Sequence, residues 1–420
     1  MSPDGMFVPC SAARLFRLLL FTHQAPGRNE VRMRFIDLGA QQKRIRKAIE
    51  NRIHAVLDHG QYIMGPEIAM LEKKLAEYVG VAHGVGCSSG TDALLLALMA
   101  CGVGSGDAVI TSPFTFTATA EAIMLAGAIP VFTDIDSLTF NMDPAALERV
   151  IRAATEWDAS LHPLPAGDYA KPPRLKAVMP VDLFGIPADY DRINALAADG
   201  GLVVIEDAAQ SFGGEYKARK ACALAEIACT SFFPAKPLGA YGDGGMIFTG
   251  DGRLAARMRS LLVHGQGRDK YENLEIGLNG RLDTLQAAVL LAKFEIFPEE
   301  RIMRERVAGQ YSFFLDHDSS GVRVPKVPAD CCSAWAQYSV LARDASHRAL
   351  LQENLGKAGV PTAIYYPRPL HLQPAFSSLG YREGDFPVSE ACSRRIFSLP
   401  MHPYLEPEDQ ERIARVILSA

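Results

Sequence analysis

Gly201-Leu202-Val203-Val204-Ile205-Glu206-Asp207-Ala208-Ala209-Gln210 is a continuous apolar run that ends in two carboxylates. An apolar stretch without polar alternation describes a strand covered on both faces, as in parallel sheets. Comparable runs occur at Ala108-Val109-Ile110, Pro130-Val131-Phe132, Ala177-Val178-Met179-Pro180-Val181 and Met246-Ile247-Phe248, and they alternate with helical stretches up to about residue 260. That alternation predicts an α/β fold with a mostly parallel sheet between helical layers. Ligands of such open sheets gather at the carboxyl ends of the strands, where Glu206 and Asp207 stand.

Outside this region the period changes. Between residues 40 and 80, Ile45, Ile49, Ile53, Val56 and Leu57 recur at helical spacing. A second helical run, near residues 281–310, carries Leu285, Ala288, Val289, Leu291, Ala292 and Phe294 and leads into a tail rich in proline and aromatic residues. The expected organisation is a large domain over residues 33–280, followed by a linking helix and a smaller C-terminal domain over 281–420. Residues 1–32 read as a disordered or mis-started extension. Their short apolar stretch is broken by Arg17, and patterned sequence starts only after a second methionine, Met33. Residues 157–173, rich in Pro, Asp and His, read as a surface insertion, and no internal repeat is present.

The 420 residues carry a net charge of -5 at a pI of about 6.1, with 48% hydrophobic and 22% charged residues. This globular composition offers no basic footprint for nucleic acid or an anionic membrane. The eight cysteines are scattered without a Cys-x-x-Cys pair, so neither a metal centre nor a disulfide framework is expected. Reduced thiols fit a cytoplasmic protein. No apolar run approaches the roughly 20 residues that a membrane-spanning helix needs.

Three further stretches carry chemistry. Ser231-Phe232-Phe233-Pro234-Ala235-Lys236-Pro237-Leu238-Gly239-Ala240-Tyr241-Gly242-Asp243-Gly244-Gly245 sets a lone lysine between an apolar segment and a glycine-rich turn. A desolvated lysine is a carbonyl-trapping amine near neutral pH. Asp207 precedes Lys236 by about one strand–helix–strand excursion, so both can project into one pocket. A buried carboxylate there suits a protonated pyridine-type nitrogen; alone it reads equally as a helix cap. Gly86-Cys87-Ser88-Ser89-Gly90-Thr91-Asp92 opens an apolar helical run, which presents backbone N–H groups and hydroxyls to an anion such as phosphate. Phe116, just past a strand, can stack on a flat ring or fill the core. Gly102-x-Gly104-x-Gly106 lacks the spacing and the preceding strand of a dinucleotide site and is rejected as one.

Taken together, these stretches resemble the DegT/DnrJ/StrS sugar aminotransferases, pyridoxal-phosphate enzymes of the aspartate-aminotransferase fold (fold type I). The resemblance runs from about Phe35 to the C-terminus. It also rests on Gly60-Gln61-Tyr62-Ile63-Met64-Gly65-Pro66-Glu67, Ser89-Gly90-Thr91-Asp92-Ala93-Leu94, Thr115-Phe116-Thr117-Ala118-Thr119, Asn279-Gly280-Arg281-Leu282-Asp283-Thr284 and Tyr365-Tyr366-Pro367.

The resemblance implies roles for individual residues. Lys236 would link covalently to pyridoxal 5'-phosphate, Asp207 would pair with the ring nitrogen, and Phe116 would stack on one ring face. Gln210 would lie against the other face or near the ring hydroxyl. Gly90, Thr91 and Ser231 would bind the phosphate, joined by Asn279 from the second subunit of a homodimer with shared active sites. Arg281, from the same partner loop, is the candidate for a substrate carboxylate or nucleotide phosphate, and Tyr365 for a sugar contact. The implied reaction is ping-pong transfer of an amino group from L-glutamate to a keto-sugar nucleotide.

The lysine loop, with Gly242-Asp243-Gly244-Gly245, and the segment Ser398-Leu399-Pro400-Met401-His402-Pro403-Tyr404-Leu405 are similar to members that act on UDP-2-acetamido-2-deoxy-3-oxo-glucuronate in surface-polysaccharide assembly. Some of those carry His where Tyr365 stands. Relatives acting on dTDP-3-keto-6-deoxyhexoses or 4-keto sugars stay open, as does a cofactor-binding regulatory protein. A dehydratase branch with histidine in place of the lysine is opposed by Lys236.

Overall fold

The computed structural model describes residues 33–167, 169 and 171–420. The expected extension over 1–32 lies outside the described residues, and residues 33–420 form one compact unit. Two helices open the described chain, α1 (Leu38–His59) and α2 (Pro66–Val79). The side chain of Asp37 caps α1 by accepting from Ala40 N–H, and Gly60 and Gly80 close the two helices at φ 68° and 87°, a conformation that glycine adopts without strain. The single amphipathic stretch expected over 40–80 is thus divided at Gly60, with Pro66 starting the second helix.

The central layer is assembled from β1 (His83–Cys87), α3 (Gly90–Ala100), β2 (Asp107–Thr111), α4 (Ala118–Leu125), β3 (Ile129–Phe132), α5 (Pro144–Glu156), β4 (Arg174–Met179), α6 (Tyr190–Asp199) and β5 (Val203–Asp207). After the short strands β6 (Glu215–Tyr216) and β7 (Arg219–Lys220), it is completed by β8 (Ile227–Ser231), β9 (Gly245–Thr249) and α7 (Gly252–Leu261). The seven-stranded sheet has the order β1-β9-β8-β5-β4-β2-β3. β3, β2, β4, β5 and β8 are parallel, and β9 runs against both β8 and β1. Helices cover both faces. Val109, Met179, Ile205, Cys229 and Ile247 pack against α3, α4 and α7, while Ile110, Val178 and Val204 pack against α5 and α6.

The helical run after residue 281 also divides, into α8 (Thr284–Phe294) and α9 (Phe297–Leu315), with Pro298 in the first turn of the second helix. α8 packs on α1 and α2, where Ala287, Leu290 and Leu291 share a core with Ile68, Leu71, Phe232 and Phe248. Beyond it, β10 (Val322–Arg323), β12 (Tyr338–Ala342) and β13 (Ile396–Leu399) form an antiparallel three-stranded sheet. Its core joins α9, α10 (Ala345–Lys357) and α12 (Pro407–Leu418), and α11 (Pro387–Arg395) leads into β13. β11 (Cys331–Cys332) pairs with β6. None of the described helices is long and apolar enough to cross a membrane.

Candidate active site

Successive side chains of a strand point to opposite faces, so the two carboxylates at the end of β5 part company. Glu206 is buried on the α6 side, where Oε1 accepts from Cys222 N–H at 2.6 Å and Oε2 from Leu224 N–H at 3.0 Å. Beside it, Asp182 accepts from Ala188 N–H and the Tyr190 hydroxyl, each at 2.9 Å, and from the Ser211 hydroxyl at 2.7 Å. Burial pushes both carboxyls up, Asp182 to about 6, and the proximity of Asp182 adds to the rise at Glu206.

Asp207 turns the other way. Its Oδ2 accepts from the Thr119 hydroxyl at 2.8 Å and its Oδ1 from Ala209 N–H at 3.2 Å. Burial raises its carboxyl above the ordinary range, against the two hydrogen bonds and the nearby charge of Lys236. Lys236 is pulled down to about 8 by burial, with Asp207 opposing that shift. At this value a substantial fraction of the amine is unprotonated near neutral pH and able to attack a carbonyl. The lysine sits in a tight turn: its N–H donates to Phe233 O at 2.9 Å and Ala240 N–H donates to Phe232 O at 2.7 Å.

The start of α3 lies against the ends of β8 and β9. A Cβ added to Gly90 would stand 2.7 Å from the Ser231 Cβ, and one on Gly245 would stand 2.3 Å from Ser89 O. Only glycine permits these approaches, and they set the Ser231 hydroxyl beside the first turn of α3. Ser89 caps that helix through a 3.0 Å bond to Asp92 N–H. The N–H groups of Gly90 and Thr91, at the positive end of the helix dipole, together with Ser231, make an anion cradle.

Gln210 has a fixed amide orientation. Its Oε1 accepts from Phe184 N–H at 2.6 Å, so Nε2 is the group turned to the Tyr366 hydroxyl, at 3.3 Å. The Tyr366 ring lies 6.3 Å from that of Phe116, which is 56% exposed although it follows a buried strand. Tyr365 joins the group through its neighbour, 5.8 Å from the Tyr366 ring and 6.3 Å from Phe35.

Backbone pairing holds the segment that carries Asn279 and Arg281 against Cys87 and Ser88, without bringing either side chain to Lys236 or Asp207. Ser88 N–H donates to Gly280 O at 2.9 Å and Arg281 bridges Cys87, while Asn279 is exposed and its side-chain oxygen accepts from the Arg281 guanidinium. Nε of Arg281 is buried without a hydrogen-bond partner among the described residues.

The structure therefore gathers Lys236, Asp207, Gln210, Ser231 and Gly90 with Thr91 around the carboxyl ends of β5 and β8, with Phe116 at the rim. Sequence reading missed two contributors. Thr119 closes the quoted stretch Thr115–Thr119, yet a threonine in the first turn of an apolar helix announces no partner. Tyr366 follows the singled-out Tyr365 but is the one that meets Gln210. No group of acidic, His or Cys side chains among the described residues suits a metal.

Comparison with known proteins places these residues in context. The DegT/DnrJ/EryC1/StrS aminotransferase family matches residues 43–418. A UDP-2-acetamido-2-deoxy-3-oxo-D-glucuronate aminotransferase of Pseudomonas aeruginosa is 48% identical over 372 residues, covering 89% of this chain and 96% of the relative. A pleiotropic regulatory protein of Geobacillus stearothermophilus is 41% identical over 383 residues, covering 91% and 96%. Among solved structures, a DegT DnrJ EryC1 StrS aminotransferase from Brucella abortus superposes with a TM-score of 0.85 at 47% identity, covering 92% of this chain and 98% of that one.

Proposed function

Because the chain belongs to the DegT/DnrJ/EryC1/StrS aminotransferase family, we propose that it transfers an amino group from L-glutamate to a keto-sugar nucleotide, at carbon 3 of UDP-2-acetamido-2-deoxy-3-oxo-glucuronate. The observation that carries the reaction class is that the Lys236 amine, pulled down to about 8 by burial, and buried Asp207 share one site. The substrate assignment draws on the 48% identity to the Pseudomonas aeruginosa enzyme.

The family's cofactor is pyridoxal 5'-phosphate, and the residues present fit it. The cradle at Gly90, Thr91 and Ser231 would accept a phosphate, since Gly90 lets the helix start close on Ser231 where an added Cβ would stand only 2.7 Å from the Ser231 Cβ. Asp207, raised by burial, recovers its ionised form when a cation pairs with it. When bound, the cofactor supplies an electron sink that acidifies the carbon carrying the transferred amine. Lys236 would hold the cofactor through its Nζ, and that amine would then be placed to move a proton to or from the reacting carbon. Asp207 would keep the ring nitrogen protonated, its carboxylate oriented by Thr119 and Ala209 N–H. Phe116 would stack on the ring, and Gln210, whose Nε2 faces the Tyr366 hydroxyl, would offer a donor on that side.

Asn279 and Arg281 act across the interface of a homodimer, Asn279 at the phosphate and Arg281 at the acidic or nucleotide part of the substrate, with Tyr365 contacting the sugar. The dimer is supported by exposed Tyr62, Ile63, Met64, Phe233 and Tyr241, large apolar side chains close to the start of α8 and the lysine turn. We assign the cofactor-binding lobe to residues 33–280 and a smaller lobe to 281–420. The seven cysteines among the described residues are free, which supports a cytoplasmic place in surface-polysaccharide (O-antigen, lipopolysaccharide) assembly.

The experiment is a panel of 3-keto and 4-keto sugar nucleotides offered to the aminated enzyme, read by mass spectrometry of the product. Amination of the UDP-3-oxo-glucuronate alone is expected, and preference for a dTDP-keto-deoxyhexose would replace the assignment. A regulatory reading is favoured by the Geobacillus stearothermophilus relative. It requires that glutamate leave the bound cofactor unaminated, so the same glutamate half-reaction decides it.

A further inference from the structure

Lys293 lies in the apolar interior, 1% exposed, on the last turn of α8. A buried ammonium is costly unless a specific interaction repays it. Its Nζ donates to Gly239 O at 2.7 Å and stands 4.3 Å from the centre of the Tyr241 ring. Two turns earlier on the same helix face, the Gln286 side-chain oxygen accepts from Tyr241 N–H at 2.9 Å. Both side chains grip the turn that begins at Lys236, one at a carbonyl and the other at an N–H.

The grip is itself braced. Glu300, buried on α9, accepts from the Gln41 side chain at 3.0 and 2.8 Å and from the Tyr404 hydroxyl at 2.5 Å. Its charge favours the protonated form of Lys293, while burial pulls Lys293 down to about 8. α8 is held in turn by α1 and α2. The turn therefore hangs on α8 as well as on three backbone bonds of its own loop, from Lys236 N–H to Phe233 O, from Ala240 N–H to Phe232 O and from Phe232 N–H to Gly244 O.

We propose that Lys293 is a positioning residue for the transfer reaction: by holding the Gly239 carbonyl it fixes the turn that carries Lys236 and aims the Lys236 amine at the carbonyl it captures. The inference rests on the reading of Lys236 as the cofactor-linking lysine. A displacement of ~1 Å at a reacting group costs on the order of 10²-fold in rate.

The test compares Lys293→Met, which keeps an apolar stem without the donor, with Lys293→Arg, Gln286→Ala, Lys236→Ala and the parent enzyme. Four quantities are read: the thermal midpoint, the rate at which pyridoxal 5'-phosphate becomes reducible onto the peptide containing Lys236, and kcat and KM for glutamate. Lys293→Met is expected to slow attachment and kcat together by roughly 10- to 100-fold, with KM changed far less. Lys293→Arg should recover part of the loss, and Gln286→Ala should move the same readouts by less. A lower thermal midpoint with attachment rate and kcat unchanged makes Lys293 a packing residue and overturns the proposal. Should Lys293→Met fail to fold, unchanged attachment in Gln286→Ala does the same. Labelling that persists in Lys236→Ala instead sinks the assignment of Lys236, an outcome separate from either of these.

Discussion

Thr119 on α4 donates its hydroxyl hydrogen to Oδ2 of Asp207 at the end of β5, at 2.8 Å, and this bond fixes the buried carboxylate at the centre of the site. The same hydroxyl lies 3.1 Å from that of Thr115. Thr119→Val keeps the shape and removes the donor, leaving the carboxylate short of a partner. The expected cost is about 1–2 kcal/mol of stability, with a carboxyl raised further by burial and hence a weaker hold on a cationic ring nitrogen. Cofactor titration of the purified variant checks this; an affinity equal to that of the parent would show that Thr119 does not tune Asp207.

Lys236, pulled down to about 8, predicts how the enzyme takes up its cofactor. Only the unprotonated amine attacks a carbonyl, so covalent attachment of pyridoxal 5'-phosphate to cofactor-free protein should accelerate as pH rises through about 8 and then level. A rate that keeps climbing roughly tenfold per pH unit well beyond about 8, toward the ordinary lysine value of about 10.4, would mean that burial does not depress this amine. Lys236→Arg keeps the charge and should abolish the absorbance near ~400 nm that the linked cofactor gives.

Gly90→Ala tests the cradle. The added Cβ meets the Ser231 Cβ at 2.7 Å, and neither the strand end nor the helix start can yield without moving the other. Overpacking of this kind costs about 1–3 kcal/mol. The variant should also bind phosphate-bearing cofactor less tightly than it binds pyridoxal without phosphate, relative to the parent. Equal weakening for both ligands, measured by fluorescence titration, would argue against a phosphate site here.

The buried pair behind the site gives a prediction about stability and pH. Burial raises Asp182 to about 6 in the folded protein from its ordinary value of 3.8. Between these values the native state holds more protons than the unfolded chain, so this group's contribution falls as pH climbs from about 4 through about 6 and stays low above it. Glu206, also raised, pulls in the same direction. Asp182→Asn should flatten that part of the profile. Urea midpoints across the range are the measurement, and a slope identical to the parent's would exclude Asp182 as its source.

Much of the large sheet is legible in the sequence. β2, β3, β4, β5 and β9 are apolar runs whose burial on both faces leaves no polar alternation. β1 and β8 were not legible, and the reason is chemical. His83-Gly84-Val85-Gly86-Cys87 and Ile227-Ala228-Cys229-Thr230-Ser231 are built from small residues, because their ends approach the start of α3 and the lysine turn closely. The strands that shape the cradle carry the weakest strand signal. Likewise, Pro298 and Gly60 divided runs that hydrophobic spacing alone had joined.

The sequence by itself determined the α/β class and singled out Lys236, Asp207 and the glycine-opened helix, since each is written in local composition: an apolar strand ending in acid, a lone lysine before glycines, small residues before a helix. Gln210 enters only through the family resemblance. Tertiary structure alone decided which neighbour each residue acts through. Glu206 and Asp207 are adjacent in the chain, yet the pleat sends one to Asp182 and the other to Thr119. Lys293 reads in sequence as an ordinary lysine near a helix end, and only the packing of α8 against the turn places its amine on Gly239. Hydrogen bonds and desolvation depend on distance in space, and residues such as Thr119 and Asp207, 88 positions apart, carry no mutual signal along the chain.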